Sequence, residues 1–196
     1  MAGDGLDNPV ETARRTAITL CGSLRTGSIN EILRRHMSAK LREAGVAVTD
    51  LSLADFEMPI FNQDLEPDRT PESASRLAEA FRSHDIIFLA TPEYNGGVPP
   101  LVVNTLAWLS RQKPSPFRHA IFGIGGVSSG KYGTIWSLSH LRDSLSKVGA
   151  LVAPTLLGIG PADEALDTDG APVEAGIQWK VEQMVRELTH FSRGGI

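Results

Sequence analysis

The chain has 196 residues, which is enough for one domain of ordinary size and too few for two. With 41% hydrophobic and 21% charged residues, its composition is globular and excludes collagenous and disordered chains. The formal net charge is −4 and the Lys and Arg residues are scattered, so no basic stripe offers a surface to nucleic acid. We therefore expect a packed core and no nucleic-acid partner.

Cysteine usage and hydropathy predict the compartment. Cys21 is the single cysteine, so no disulfide can form within the chain, and we expect this residue to be a buried small hydrophobe rather than a redox thiol. No run approaches the roughly 18 apolar residues of a membrane span. The apolar run after Arg14-Arg15 is too short for the core of an export signal. These features predict a cytoplasmic protein without a membrane segment, and the five scattered histidines predict no metal site.

The first third of the chain predicts a polar start, a strand and a helix. Residues 1–15 are expected to be a mobile segment, followed by one domain over residues 16–196. The apolar run 16–21 predicts a buried strand. In 29–44 apolar residues recur at spacings of three and four, which predicts an amphipathic helix ended by Gly45.

The rest of the chain continues this alternation. A short strand is predicted over 46–51, and segment 54–71, with three prolines, is expected to be a long loop of the kind that is commonly functional. Further helices are predicted around 77–81, 101–109, 135–148 and 173–191, and further strands at 86–90, 120–124 and 151–157. Alternating strands and helices predict an α/β fold, with a parallel sheet covered by helices on both faces.

In such a sheet, ligands bind beyond the carboxyl ends of the strands, so the loops after the first, third and fourth strands are the candidates. The first loop, residues 22–30, reads Gly-Ser-Leu-Arg-Thr-Gly-Ser-Ile-Asn. Its hydroxyls, its guanidinium and the N–H groups of the helix start would together surround a phosphate group. Alternatively, Ser28 or Thr26 only caps the helix and the glycines only permit the turn. Spacing alone leaves both interpretations open.

The second loop, residues 91–100, reads Thr-Pro-Glu-Tyr-Asn-Gly-Gly-Val-Pro-Pro. Its glycines let the backbone approach a ligand, Tyr94 offers a stacking face and Asn95 offers amide hydrogen bonds, which suits a flat ring with polar edges. Equally, Pro99 or Pro100 starts a helix and Tyr94 only covers the sheet edge. The third loop, residues 125–133, is rich in glycine and offers N–H groups to the same ring.

Three segments carry a resemblance to a known family. They read Gly-Ser-Leu-Arg-Thr-Gly-Ser-Ile-Asn at 22–30, Phe-Asn-Gln-Asp-Leu-Glu at 61–66, and Thr-Pro-Glu-Tyr-Asn-Gly at 91–96, which runs into Asn104, Trp108, Ser110 and Arg111. Together they resemble the NADPH-dependent FMN reductases, flavodoxin-like enzymes that include flavin, quinone, chromate and azo reductases. The resemblance implies a doubly wound, five-stranded parallel sheet of order 2-1-3-4-5 with FMN at the switch point.

The resemblance also assigns residues to the FMN site. Four of them match the family's phosphate loop: Ser23, Arg25, Ser28 and Asn30. Five match the segment beside the ribityl chain and the isoalloxazine ring: Pro92, Glu93, Tyr94, Asn95 and Gly96. Gly126 and Ser128 fall near the loop at the pyrimidine edge of the ring, although the family's usual Ser-Pro-Gly-Gly pattern is absent there.

The chain departs from the family pattern at three positions after the second loop. Pro100 stands where Gly is usual, Val103 where Lys is usual, and Ala107 where Asp is usual. The usual Lys and Asp would lie four residues apart on a helix and could pair. Their joint absence removes a surface or subunit contact without touching the flavin site, so it affects the expected oligomer more than the chemistry.

The activity implied by the resemblance is that of an NAD(P)H-dependent FMN reductase. NADPH or NADH would pass hydride to N5 of FMN, and the electrons would continue to free flavin or to a small acceptor such as a quinone. This step requires no side-chain acid or base, so we assign no catalytic residue.

Besides a flavin-binding regulator without turnover, which leaves no distinguishing mark in the sequence, two alternative functions remain open on sequence grounds. One is a quinone, azo or chromate reductase that keeps FMN as a tight prosthetic group. The other is a flavodoxin-like electron carrier, although the strongly acidic surface of such carriers is missing. The resemblance further implies a homodimer or homotetramer in which a neighbour covers the flavin, with segment 54–71 as a candidate contact.

Overall fold

The computed structural model describes residues 14–66, 69–167 and 169–191. Five parallel strands form one sheet in the order β2-β1-β3-β4-β5. They are β1 (Thr16–Cys21), β2 (Ala47–Asp50), β3 (Ile86–Ala90), β4 (Ile121–Val127) and β5 (Leu151–Ile159). This order confirms the flavodoxin-like topology, and its switch point lies between β1 and β3.

Helices cover both faces of the sheet. They are α1 (Ile29–Glu43), α2 (Glu72–Arg82), α3 (Pro100–Ser110), α4 (Ile135–Lys147), α5 (Ala162–Ala165) and α6 (Ala175–His190). Helices α1 and α6 pack on one face, and α2, α3 and α4 pack on the other. The four-residue helix α5 was not predicted, because so short a helix shows no hydrophobic period.

Apolar periodicity explains why these segments fold as they do. In α1, Leu33, Met37 and Leu41 are fully buried at a spacing of four, which places them on one face of the helix. Every residue of β3 is buried, as expected for a central parallel strand covered on both faces. The edge strand β5 contains Pro154 next to an irregularity in its pairing with β4, where a proline without an N–H is tolerated.

Strand β4 is longer than predicted. The sequence indicated a strand ending at residue 124 and a loop from Gly125, but the strand continues through Val127, and Gly126 pairs with Gly158 of β5. A Cβ on Gly126 would lie 2.2 Å from the Thr91 carbonyl oxygen, so glycine serves close backbone packing here rather than a turn. The irregular part of the third loop therefore begins at Ser128.

The start of the described chain is bonded to two other parts of the fold. Residues 1–13 of the predicted mobile segment lie outside the described residues, whereas the Arg14 side chain donates to the Gly45 carbonyl and Arg15 donates to the Leu188 carbonyl. None of the helices in the described ranges has the length and hydropathy needed to cross a bilayer. Within the same ranges, no cluster of three His, Cys, Asp or Glu side chains is arranged to hold a metal ion.

Candidate functional site

The three candidate loops meet at the carboxyl edge of the sheet and are bonded to one another. The Gly22 N–H donates to the Ala90 carbonyl at 2.7 Å, which joins the first loop to the end of β3. The Thr91 N–H donates to the Gly125 carbonyl at 2.8 Å, which joins the second loop to β4. A Cβ on Gly22 would lie 2.9 Å from the Thr91 hydroxyl, so the first two loops also touch.

Asn30 fastens the start of α1 to β4. Its side-chain amide donates to the Val127 carbonyl at 3.0 Å, and its carbonyl oxygen accepts from the Val127 N–H at 2.9 Å. Asn30 is buried, so this reciprocal pair satisfies polar groups that water does not reach. The Asn30 side chain thereby fixes the first loop against the third.

The first loop presents N–H groups without acceptors. Ser28 is the N-cap of α1 and is buried, but its side chain makes no capping hydrogen bond. Among the described residues, the N–H groups of Gly27, Ile29 and Asn30 also have no acceptor. Free N–H groups at a helix N-terminus, together with the helix dipole, form an anion site.

Arg25 adds a positive charge to the same loop. Its guanidinium donates only to the carbonyl oxygens of Thr26 and Gly27, at 3.5 and 3.2 Å, and forms no ion pair with a described carboxylate. Ser23 accepts from the Arg25 N–H at 3.3 Å, so its hydroxyl lies within the loop. A phosphate group would find both a cation and hydroxyl donors here.

A cavity of about 620 Å³ opens beside the first loop. Residues of the first loop, the start of α1 and segment 50–54 line it, and no residue of the second or third loop does. The cavity therefore offers room beside the first loop and not between the other two.

The buried residue Arg34 is among those that line this cavity. The guanidinium of Arg34 donates to both carboxylate oxygens of Glu31, at 2.7 and 2.8 Å, and also to Asp50. Burial alone would raise the pKa of Asp50, but hydrogen bonds from Arg42, Ser38 and Thr19 and the charge of Arg34 hold it well below the usual range. Glu31 also pairs with Arg35, and Asp50 also pairs with Arg42. Arg25, by contrast, pairs with no carboxylate of the described residues, so its charge is available to a ligand.

The second loop ends in a tight turn. Tyr94 and Gly97 exchange two backbone hydrogen bonds, at 3.1 and 2.9 Å, around Asn95 and Gly96. These two residues have φ values of 52° and 73°, the conformation for which Asn-Gly is favoured. The turn carries Tyr94 at its base, with 50% of its surface exposed. Pro100 is the first residue of α3, as one of the two sequence interpretations predicted.

The remaining motif residues of α3 hold the loop after β2. The Trp108 indole N–H donates to the Pro59 carbonyl at 2.7 Å, and the Phe61 N–H donates to the Asn104 side chain at 2.7 Å. Asn104 also donates to the Pro59 carbonyl at 3.0 Å. The predicted long loop is therefore fastened along 59–61, and short 3₁₀ turns at Leu53–Phe56 and Gln63–Leu65 divide it.

Ser128 begins the irregular part of the third loop. Its N–H donates to the Ile159 carbonyl at 3.1 Å and its carbonyl accepts from the Ala162 N–H at 3.0 Å, while its hydroxyl reaches only the Gly130 carbonyl, at 3.5 Å. The Ser128 backbone is thus committed to the fold, and its hydroxyl is available to a ligand.

Sequence reasoning missed Ser137. Its N–H donates to the Glu93 carboxylate at 2.9 Å, and its hydroxyl donates to the Pro92 carbonyl at 3.1 Å. The two sides of this contact are 44 residues apart in the chain, and no local pattern signals it. The Glu93 carboxylate is therefore hydrogen-bonded to the first turn of α4.

Cys21, at the end of β1, is buried as predicted. Burial raises the pKa of its thiol, and hydrogen bonds from Ser23 and Ser28 offset this only in part. A thiol with a raised pKa is a poor nucleophile at neutral pH.

Comparison with known proteins settles the family. The profile of the NADPH-dependent FMN reductases matches residues 16–164. The chain belongs to this family. An NAD(P)H-dependent FMN reductase of Pseudomonas aeruginosa is 33% identical to it over 180 residues, which is 89% of this chain and 93% of that protein.

Two further proteins similar to this FMN reductase family member are also oxidoreductases by name. A quinone reductase of Escherichia coli K12 is 35% identical over 179 residues, with 89% of this chain and 92% of that protein covered. Among solved structures, the flavoenzyme NAD(P)H:acceptor oxidoreductase FerB of Paracoccus denitrificans is 26% identical, with a TM-score of 0.74 over 89% of this chain and 97% of that one. The chain is therefore an NAD(P)H-dependent oxidoreductase that uses FMN, which confirms the predicted activity and cofactors.

The residues present fit FMN. Arg25 and the N–H groups of Gly27, Ile29 and Asn30 lack the anionic partner that a phosphate group supplies. The Asn-Gly turn places an exposed Tyr94 beside the switch point, where a flat ring has a surface to contact. The departures from the family pattern at Pro100, Val103 and Ala107 lie on α3, outside the first and third loops.

Proposed function

We propose that this FMN reductase family member binds FMN across its three loops and passes electrons from NAD(P)H to a small acceptor, free flavin or a quinone. The observation that carries the proposal is the meeting of these loops at one sheet edge, fastened by the Gly22–Ala90, Thr91–Gly125 and Asn30–Val127 contacts. The resemblance assigns the same loops to the phosphate, the ring face and the ring edge of FMN.

The chain's residues bind and orient the cofactor. The first-loop N–H groups, Ser23, Arg25 and Ser28 would hold the phosphate group, and Asn30 keeps that loop in place. The residues of the second loop would lie along the ribityl chain and the ring: Pro92, Glu93, Tyr94, Asn95 and Gly96. Ser128 of the third loop would supply its hydroxyl at the pyrimidine edge, where charge develops on reduction, whereas Gly126 lies within β4 and packs against Thr91. FMN, when bound, supplies the hydride chemistry, so we assign no side-chain acid or base.

Small aromatic acceptors fit the exposed apolar side chains near these loops. Leu24, Tyr94 and Trp136 are 56%, 50% and 62% exposed, on the first loop, the second loop and the first turn of α4. Aromatic and aliphatic surfaces of this kind contact flat rings. The similarity to a quinone reductase of Escherichia coli supports a quinone as one such acceptor.

We also propose which surface joins the subunits and where in the cell the protein is located. Residues 94–110 contain no charged side chain, and Val103 is exposed on the outer side of α3. We take this uncharged face, together with the fastened loop at 59–61, as the contact in a homodimer or homotetramer. The single, free cysteine supports a reducing compartment, and we place the protein in the cytoplasm.

The test is a titration of the apoprotein with FMN, in which binding is measured from the quenching of flavin fluorescence. Arg25→Gln is expected to raise the Kd for FMN about tenfold, because a charge-assisted contact to the phosphate group is lost. Arg186→Gln is the matched control, since Arg186 is exposed, paired with Glu182 at 3.9 Å and absent from the lining of the cavity. Inorganic phosphate should compete with FMN. Wild-type protein that binds no FMN, or equal affinities for both variants and the wild type, would contradict the assignment of the first loop.

A further inference from the structure

We propose that Glu93 and Ser137 are positioning residues that lock the second loop onto α4 and hold the FMN site in its binding shape before FMN arrives. The inference rests on the proposed function and concerns how the site is built. It adds to the place of Glu93 along the ring a role for its carboxylate in positioning the loop, and it brings in Ser137, to which neither the sequence pattern nor the comparisons give a role.

The first step is that α4 lacks a cap of its own. Thr134 is the N-cap, the position whose side chain ordinarily accepts from the N–H of the second or third helical residue. Its hydroxyl makes no such bond and, within the described residues, it has no hydrogen-bond partner. The hydroxyl is fully buried, 2.3 Å from where a Cβ on Gly126 would lie.

The second step is that Glu93 supplies the missing cap from a remote part of the chain. Its carboxylate accepts from the N–H of Ser137, the third residue of α4, at 2.9 Å. The negative charge at this helix end is also favoured by the helix dipole. Ser137 returns a second bond from its hydroxyl to the Pro92 carbonyl, at 3.1 Å.

The contact between Ser137 and the second loop lies next to the two loops that would hold the flavin ring. Tyr94 directly follows Glu93 in the chain, and the third loop directly precedes α4. The two hydrogen bonds of Ser137 therefore set the separation between the Tyr94 turn and the third loop, which is where the proposed function places the ring. Without these bonds, the loops would have to be ordered when FMN binds, and that ordering weakens affinity.

Ser137 distinguishes positioning from direct contact. It is 0% exposed, so it cannot touch a bound flavin, whereas Glu93 is only partly buried and could. If Glu93 acts by touching FMN, removal of the Ser137 hydroxyl has no effect on FMN affinity. If the pair acts by positioning, that removal weakens FMN binding.

The experiment titrates FMN into the apoproteins of wild type, Ser137→Ala, Glu93→Ala and Glu93→Gln, well below their unfolding temperatures. We expect Ser137→Ala to raise the Kd for FMN about fivefold and Glu93→Ala to raise it more than about tenfold. Glu93→Gln should recover part of the loss, because its amide oxygen can still accept from the Ser137 N–H. Ser139→Ala is the matched control, since among the described residues the Ser139 hydroxyl bonds only to the Ile135 carbonyl of the same helix, at 2.8 Å.

The outcomes separate the possible failures. A folded Ser137→Ala protein that binds FMN as tightly as Ser139→Ala would overturn the inference, whatever Glu93→Ala does. Variants with lowered Tm but unchanged FMN affinity would show a merely structural role and overturn it as well. Wild-type protein that binds no FMN would overturn the proposed function itself, which is a distinct result.

Discussion

Gly126 lies where three backbone segments come close together. A Cβ at this position would lie 2.2 Å from the Thr91 carbonyl oxygen and 2.3 Å from the Thr134 hydroxyl. The Thr91 carbonyl belongs to the backbone and cannot turn aside, so the second loop and β4 keep their separation only with glycine here.

Gly126→Ala is therefore expected to lower the free energy of unfolding by about 3 kcal/mol, because the added methyl group must push the second loop away. Urea denaturation measures the change. Gly176→Ala is the control, since a Cβ there would meet no atom within 4 Å and the residue lies in α6, where alanine is favoured over glycine. Equal stability of the two variants would contradict the close packing described for Gly126.

Asp50 makes the stability of the fold near the first loop depend on pH. In the folded chain its pKa lies well below the unperturbed value of 3.8, because hydrogen bonds and the charge of Arg34 outweigh the effect of burial. A carboxyl group with a lowered folded pKa stabilises the fold above its unfolded pKa, and this contribution is lost as the pH falls towards the folded pKa.

Asp50→Asn should thus destabilise the protein by about 1 kcal/mol at pH 7, a modest figure because the carboxylate is partly exposed to solvent. At about pH 3 the difference from wild type should shrink, since pH 3 lies below the unfolded pKa and wild type has lost part of the contribution there. Thermal unfolding at the two pH values measures this. A difference in Tm that grows as the pH falls would be inconsistent with the lowered pKa.

At the scale of elements, α3 carries the residues that hold the loop after β2. Asn104 and Trp108 bond the backbone on both sides of Ile60, whose side chain is left 88% exposed. A loop bonded in this way holds its apolar tip in a fixed position, which suits a contact surface better than a moving lid.

Asn104→Ala should release this loop and make segment 58–66 sensitive to limited proteolysis, with a loss of about 2 kcal/mol in unfolding free energy. Ser110→Ala is the matched control on the same helix, because the Ala107 carbonyl is the one partner of the Ser110 hydroxyl within the part of the chain that the structure describes. Cleavage of segment 58–66 at the same rate in both variants would show that Asn104 does not hold the loop.

The elements also show what the sequence could predict. Uninterrupted apolar runs predicted β1 and β3 with their observed bounds, whereas the phosphate site inferred from the glycines and hydroxyls of the first loop stays a prediction. The end of β4 was misjudged because Gly125 and Gly126 were assigned to a loop, whereas glycine here reflects the nearness of Thr91. The contact between Glu93 and Ser137 escaped prediction because it joins distant segments, and periodicity reports only on neighbours along the chain.

At the scale of the whole molecule, the outer face of α3 carries no charge. Pro100, Val103 and Ala107 lie on this face. An apolar face beside a fastened, exposed Ile60 fits association with a second copy of the chain better than it fits solvent.

Light scattering is therefore expected to give a mass that is a multiple of 21.1 kDa. Val103→Lys should shift the protein towards the monomer, because a charge would be buried in an apolar contact. Val173→Lys, at a valine 59% exposed on another part of the surface, should leave the mass unchanged. A wild-type monomer, or an unaffected Val103→Lys oligomer, would refute this interface.

The central claim is that the three loops hold FMN for electron transfer from NAD(P)H. The most direct test is the absorbance spectrum of the FMN-loaded wild-type protein, recorded without oxygen before and after NADPH is added and again after a benzoquinone is added. The account predicts flavin absorbance near about 450 nm that bleaches promptly with NADPH and returns with the quinone. Bound flavin that stays oxidised in the presence of both NADPH and NADH would contradict it.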